Sequence, residues 1–257
     1  MGLSSTLARR NLHVIPTLVC LITPLTFVAT YLLSVYYQHV YPVFPYISDT
    51  GAESPESSIF SQFINISALL LGGCVYIRGL QVAKFANFKF KIGPHLRLHC
   101  IATWIGYGSC LGLSMVANFQ VNKLKSVHYM GACLCFLGGT VYFVLQTIFS
   151  YYMAQLYDGK TIFICRCILC SLSTVLLLAA ISAGIAPGPD DSFHWTPRDP
   201  DYGWHLVSTS SEWLLALTQS LMVLTFLPEF KPITIQRPEV RIEGISPAAE
   251  VRVVTII

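Results

Sequence analysis

Six long apolar blocks hold a single Asp, Glu, Lys or Arg between them, Glu212, and this limits the chain to very few architectures. They run over residues 14–36, 58–77, 99–118, 128–150, 167–186 and 206–227. Each has about the 20 residues that an α-helix needs to cross a hydrocarbon layer of about 30 Å. Backbone polar groups in lipid must be satisfied within the segment or within a closed barrel, and alternating ten-residue strand patterns are absent. The expected fold is therefore all-α, a six-helix transmembrane bundle occupying residues 1–230, followed by a disordered tail at 231–257. With 54% hydrophobic and 11% charged residues, no room is left for a hidden soluble domain. The tail contains little apolar bulk and, with the residues just before it, Pro228, Pro232, Pro238 and Pro247.

The basic residues give an orientation. With both termini in the cytosol, 13 of the 16 Lys and Arg fall on inner segments, leaving Lys123, Lys125 and Arg198 outside. Retention of Lys and Arg in short cytoplasmic loops is the empirical rule for such chains. The outer loops carry seven acids, Asp49, Glu53, Glu56, Asp190, Asp191, Asp199 and Asp201. Arg9 and Arg10 precede the first block as they would in a signal peptide, but its apolar run is too long, so an uncleaved first helix is expected. A formal myristoylation pattern ends at Thr6, though six helices need no lipid anchor.

Nine cysteines invite a disulfide or metal reading, yet none lies in an outer loop. Most read as small polarizable packing residues. Cys165 and Cys167, flanking Arg166 at the inner interface, are candidate palmitoylation sites, with Cys170 nearby. No metal site and no cofactor are expected. Small residues recur at four-residue steps (Gly108 and Gly112; Gly131, Cys135 and Gly139; Ala68 and Gly72; Ala180 and Gly184), a pattern that lets helices approach closely in lipid. The sequon at Asn65 falls inside the second block, so that asparagine reads as a buried polar group.

Polar residues within spans mark functional sites or packing clasps. Glu212 lies seven residues into the sixth block, roughly 10 Å deep at about 1.5 Å per residue, and Asn65 matches that depth in the second. Asn118, Gln120 and His128 fall at the same outer boundary, while His205, Ser208 and Glu212 share one helix face. At that depth Glu212 is either protonated or hydrogen-bonded, with Asn65 and His205 as candidate partners. A candidate luminal polar or ligand site thus comprises Asp49, Glu56, Asn65, Asn118, His128, His205 and Glu212, and a purely structural clasp is the competing reading. His128 and His205, with an ordinary pKa of about 6.5, would make that face responsive to acidity. On the inner side Arg78, Lys84, Lys89, Lys91 and Arg97 alternate with Phe85, Phe88 and Phe90, a candidate contact with anionic lipid. The terminal Val254-Thr255-Ile256-Ile257 fits strand addition into a PDZ groove.

Several of these residues carry a resemblance. Pro45-Tyr46-Ile47-Ser48-Asp49-Thr50-Gly51, then Pro55-Glu56-Ser57, Val116-Ala117-Asn118-Phe119-Gln120, His128 with Gly131-Ala132, and His205 with Glu212-Trp213 resemble the DNA-damage-regulated autophagy modulator family. The likeness spans about residues 14–230. It implies a multi-pass protein of lysosomal or other internal membranes, with the plasma membrane as a second location. Such a protein would regulate autophagy and, in some members, cell death, acting through membrane lipids or through protein partners of the tail. The wider superfamily includes glycosylphosphatidylinositol-lipid remodelling factors and proteins that tether a phosphatidylinositol kinase, so a lipid-modifying or lipid-transporting role is the alternative. No catalytic residues come with the resemblance, and no enzyme, nucleic-acid partner or oligomeric state is expected from it. Lys123 and Lys125 depart from it by making their loop less acidic.

The orientation is checked by protease protection in intact vesicles. A tag at either terminus is expected to be cleaved from the cytosolic side, and a tag inserted beside Asp191 to be protected; luminal exposure of a terminus overturns the arrangement.

Overall fold

The computed structural model describes residues 11–90, 94–154, 159–185 and 193–235, and within these the side chains of all but 87–90 and 94–97. Six helices are long and apolar enough to cross a membrane, and no strand pairs with another among the described residues. They are α1 (Val14–Tyr36), α2 (Glu56–Phe90), α3 (Pro94–Asn118), α4 (Lys125–Met153), α5 (Gly159–Ala183) and α6 (Tyr202–Phe230, with a break after Leu224). The chain is a multi-pass, all-α membrane protein.

Their bounds differ from those of the apolar blocks at the inner end. α2 has 35 residues, about 52 Å at 1.5 Å per residue, and so outruns the hydrocarbon. Arg78 does not end it, because a charge limits insertion into lipid, not helix propagation. α5 begins at Gly159 and carries Cys165, Arg166 and Cys167 inside the helix, not at its mouth. Residues 231–235 do not belong to a free tail, since Ile233 and Ile235 pack against the core. The rest of the tail, with Thr255 and Ile257, lies outside the described residues.

Each helix packs on its neighbours in sequence, and α1 packs on α6, which closes a six-membered ring. α3 and α4 approach closely. A Cβ on Gly112 would stand 2.5 Å from the Cys135 nitrogen and 2.6 Å from the Gly131 carbonyl oxygen, so only glycine allows this backbone contact. Gly108 and Gly72 meet nothing there and belong to no such seam. Just beyond, Cys133–Leu137 widens into a π-helical turn. Such a turn disturbs the regular ladder of carbonyl acceptors. Two are taken up by neighbours: Ser109 donates to the Cys135 carbonyl at 3.0 Å and Gln219 to that of Phe136, also at 3.0 Å. All nine cysteines are free thiols, Cys165 exposed and Cys167 half-buried.

Candidate functional site

The first outer loop does not stand off the bundle; it folds down into the ring as a plug. Asp49–Gly51 forms a single 3₁₀ turn in which all three residues are buried. Gly51 is required by contact, since a Cβ there would lie 2.6 Å from the Phe60 ring. Thr50 donates to the Ile47 carbonyl at 2.7 Å and shares a 3.1 Å hydrogen bond with Thr30 on α1. Trp213 Nε1 on α6 donates to the Pro45 carbonyl at 2.9 Å. Tyr46 donates its hydroxyl to Ser208 at 2.9 Å, and Ser208 passes a bond to the Ala180 carbonyl on α5 at 2.8 Å. The loop therefore ties α1, α5 and α6 together.

Two buried carboxylates accompany the plug. Burial holds the Asp49 carboxyl well above the usual carboxylate range, and the charge of Glu212 raises it further, against the lowering effects of the Tyr46 backbone amide and Lys125. Burial likewise raises the Tyr46 phenol. The Ile47 backbone amide serves Glu212, while its Oε2 is buried without a hydrogen-bond partner. His128 is buried and donates Nδ1–H to the Phe119 carbonyl at 2.7 Å, which leaves Nε2 as the acceptor nitrogen. Both Glu212 and His128 line a central cavity between α1, α2, α3, α4 and α6, with a volume of about 80 Å³.

The other expected residues lie elsewhere. His205 stacks on Trp195 at 4.3 Å and meets the Tyr46 ring edge-on at 5.3 Å. It shares with Asp49 a small crevice at the outer surface and makes no recorded contact with Glu212. Glu56 is fully buried against His39, Oε1 to Nδ1, at 2.5 Å. Asn65 and Asn118 hold α2 to α3 by reciprocal amide bonds of 2.9 and 3.0 Å, with Ser114 donating to Asn65 at 2.6 Å. This clasp is off the cavity, so Asn65 is no partner of Glu212. The seven residues thus form not one site but a central pair with Asp49 alongside, an aromatic box, a histidine–glutamate hydrogen bond and a clasp.

The inner side holds a cluster that the sequence alone did not reveal. Arg78 and Arg166 are fully buried on one carboxylate, Glu229, whose Oε2 lies 3.1 Å from Arg78 and 2.6 Å from Arg166. Arg78 also donates to Gln146 at 2.9 Å and Gln81 at 2.6 Å; Arg166 donates to the Thr225 hydroxyl at 2.8 Å and carbonyl at 3.1 Å, and to Ser150. Both guanidiniums lie near the face of Phe226, at 5.5 and 4.8 Å. Arg78 is therefore an internal anchor and not a lipid contact, because its donors are consumed inside the ring. Lys84 is exposed on α2, while the side chains of Lys89, Lys91 and Arg97 lie outside the described residues. The signal in the sequence was an acid, Glu229, just beyond the sixth block, with an arginine just beyond the second and another just before the fifth. Among the described residues no group of three or more His, Cys, Asp and Glu could hold a metal ion.

The comparisons now identify the lineage. The model of the Frag1/DRAM/Sfk1/Cwh43P N-terminal domain matches residues 11–233, all six helices. The chain belongs to this family. It is 34% identical over 245 residues, 93% of its own length and 91% of the relative's, to DNA damage-regulated autophagy modulator protein 2 of Bos taurus. DNA damage-regulated autophagy modulator protein 1 of Homo sapiens is 32% identical over 88% of this chain and 94% of its own. The modulator of macroautophagy TMEM150B of Danio rerio is 28% identical over 80% of this chain and 78% of its own. No solved structure matches significantly. The matched segment ends at Ile233, just past Glu229 of the inner cluster.

Asp49 gives a stability prediction with a definite sign. Its folded-state pKa exceeds its unfolded value of about 3.9, so the folded state binds the proton more tightly, and stability falls as pH rises through the folded value. Asp49→Asn keeps the acceptor for the backbone amide and removes the charge. It is expected to melt a few degrees above the wild type at pH 7.5, with the gap closing towards pH 5.

Proposed function

We propose that the chain is a regulator of autophagy, seated in lysosomal or related internal membranes and acting through lipid or protein partners. The observation that carries this is similarity over nine-tenths of the chain to a protein named DNA damage-regulated autophagy modulator. The named relatives are modulators, and the buried groups support the same reading. An enzyme would require a nucleophile with its base or a metal set; the carboxylates here are committed to a plug, a cavity wall and an ion cluster. On the orientation favoured by the basic residues, the plug faces the lumen and the arginine cluster faces the cytosol. A link to cell death belongs to the same proposal.

Rescue of autophagic flux in cells lacking the gene tests it, with turnover of a membrane-bound autophagosome marker read with and without a lysosomal inhibitor. Wild-type protein at native abundance is expected to restore flux. Glu212→Gln is expected to accumulate normally yet restore it poorly, whereas His205→Ala, which removes the ring packed between Trp195 and Tyr46, is expected to lose abundance. Unchanged flux in cells with and without the wild-type protein overturns the proposal.

A further inference from the structure

The central cavity combines an apolar wall with three stranded polar atoms, and the combination specifies a ligand. Phe27, Phe60, Val75, Leu113, Phe136 and Phe143 are among the apolar side chains that line it. Its volume, about 80 Å³, is several times the roughly 10–15 Å³ that one water needs. Thr23 Oγ1, Tyr142 Oη and Glu212 Oε2 are buried and find no hydrogen-bond partner in the protein. All three residues line this one cavity. Buried polar atoms in native proteins are nearly always satisfied, so three on one cavity call for a common partner.

The partner's chemistry follows from what each atom needs. Glu212 Oε2 is an acceptor near the outer end and requires an O–H or N–H. Thr23 and Tyr142 carry hydroxyls that can donate to an ester or hydroxyl oxygen deeper in. No Lys or Arg lines the cavity, while Asp49 stands within electrostatic range of Glu212. A carboxylate or phosphate headgroup would therefore meet two acids and no counter-charge. Neutral His128 supplies no counter-charge either, since with Nδ1–H given to Phe119 its Nε2 is an acceptor. We propose that the cavity binds a single-chain, uncharged amphiphile with a hydroxyl head, such as a monoacylglycerol, its hydroxyl on Glu212 and its chain along the phenylalanines. The inference stands on the geometry of the cavity and not on the role in autophagy, so either can fail alone.

The test uses the purified full chain in nanodiscs and two photo-crosslinkable probes with the same diazirine-bearing chain, one a 1-monoacylglycerol and the other the free fatty acid, with labelled peptides mapped by mass spectrometry. The monoacylglycerol is expected to label lining segments of α1, α4 and α6 saturably, at least tenfold above the fatty acid, and to be displaced by unlabelled 1-monooleoylglycerol. Ala132→Phe and Ala216→Phe, which fill the cavity, and Glu212→Leu, which removes the acceptor, are each expected to reduce labelling at least tenfold, while Glu212→Gln keeps most of it. Variants are compared only at matched melting temperature; should none fold, the competition on wild-type protein decides. Equal labelling by the two probes, labelling confined to lipid-facing residues, or no saturable labelling each overturns the proposal.

Discussion

A carboxylate shared by two guanidiniums, out of reach of both water and lipid, is the contact on which the inner half of this molecule depends. Arg78 comes from α2, Arg166 from α5 and Glu229 from the end of α6, while Gln146 and Ser150 bring in α4. No hydrocarbon environment can hydrate a guanidinium, so its donors must be met by protein. That requirement fixes the mutual rotation and depth of four helices more tightly than apolar packing could. Lipid tails are as apolar as the side chains, and packing alone discriminates weakly between rotations of a helix. The cluster carries one positive charge in excess, softened by the Phe226 face beside both arginines.

The outer half solves a similar problem with a loop. Thr50, Pro45 and Tyr46 bond α1, α6 and, through Ser208, α5, so the plug closes the ring where no ion cluster does. Between these two seals lies the cavity. Its π-helical wall is held open by Ser109 and Gln219, which accept the duty of bonding carbonyls in the widened turn. Tyr142 lies at the boundary, lining the cavity while sitting in the field of Arg78 and Arg166. A change at the inner seal therefore has a direct neighbour on the cavity wall.

The spans were legible because length and hydropathy determine membrane crossing. The inner helix ends were not, since charge ends an apolar window without ending a helix, as Arg78 in the middle of α2 shows. The site was legible in depth and hidden in azimuth. Counting residues places Asn65 level with Glu212 and puts His128 and His205 at the outer boundary above them, yet the ring turns Asn65 towards Asn118 and His205 into an aromatic box, away from Glu212. Hydropathy cannot separate ring interior from lipid face, because both are apolar. The loop motif at residues 45–51 was visible as a turn, but its burial depends on Phe60, Trp213 and Ser208, which are distant in sequence. Glu229 escaped notice because it follows the apolar block and reads as the start of a tail.

The central claim, that the two arginines and Glu229 form one buried unit, is tested most directly by thermal melting of the detergent-solubilised protein with that unit broken or replaced. Removing one partner of a buried ion pair costs about 3–5 kcal/mol, whereas replacing the whole group by apolar residues is often close to neutral. Glu229→Leu alone should leave little monodisperse protein, and Arg78→Leu, Arg166→Leu and Glu229→Leu together should restore melting to near the wild-type temperature. A Glu229→Leu protein that melts with the wild type would contradict the account.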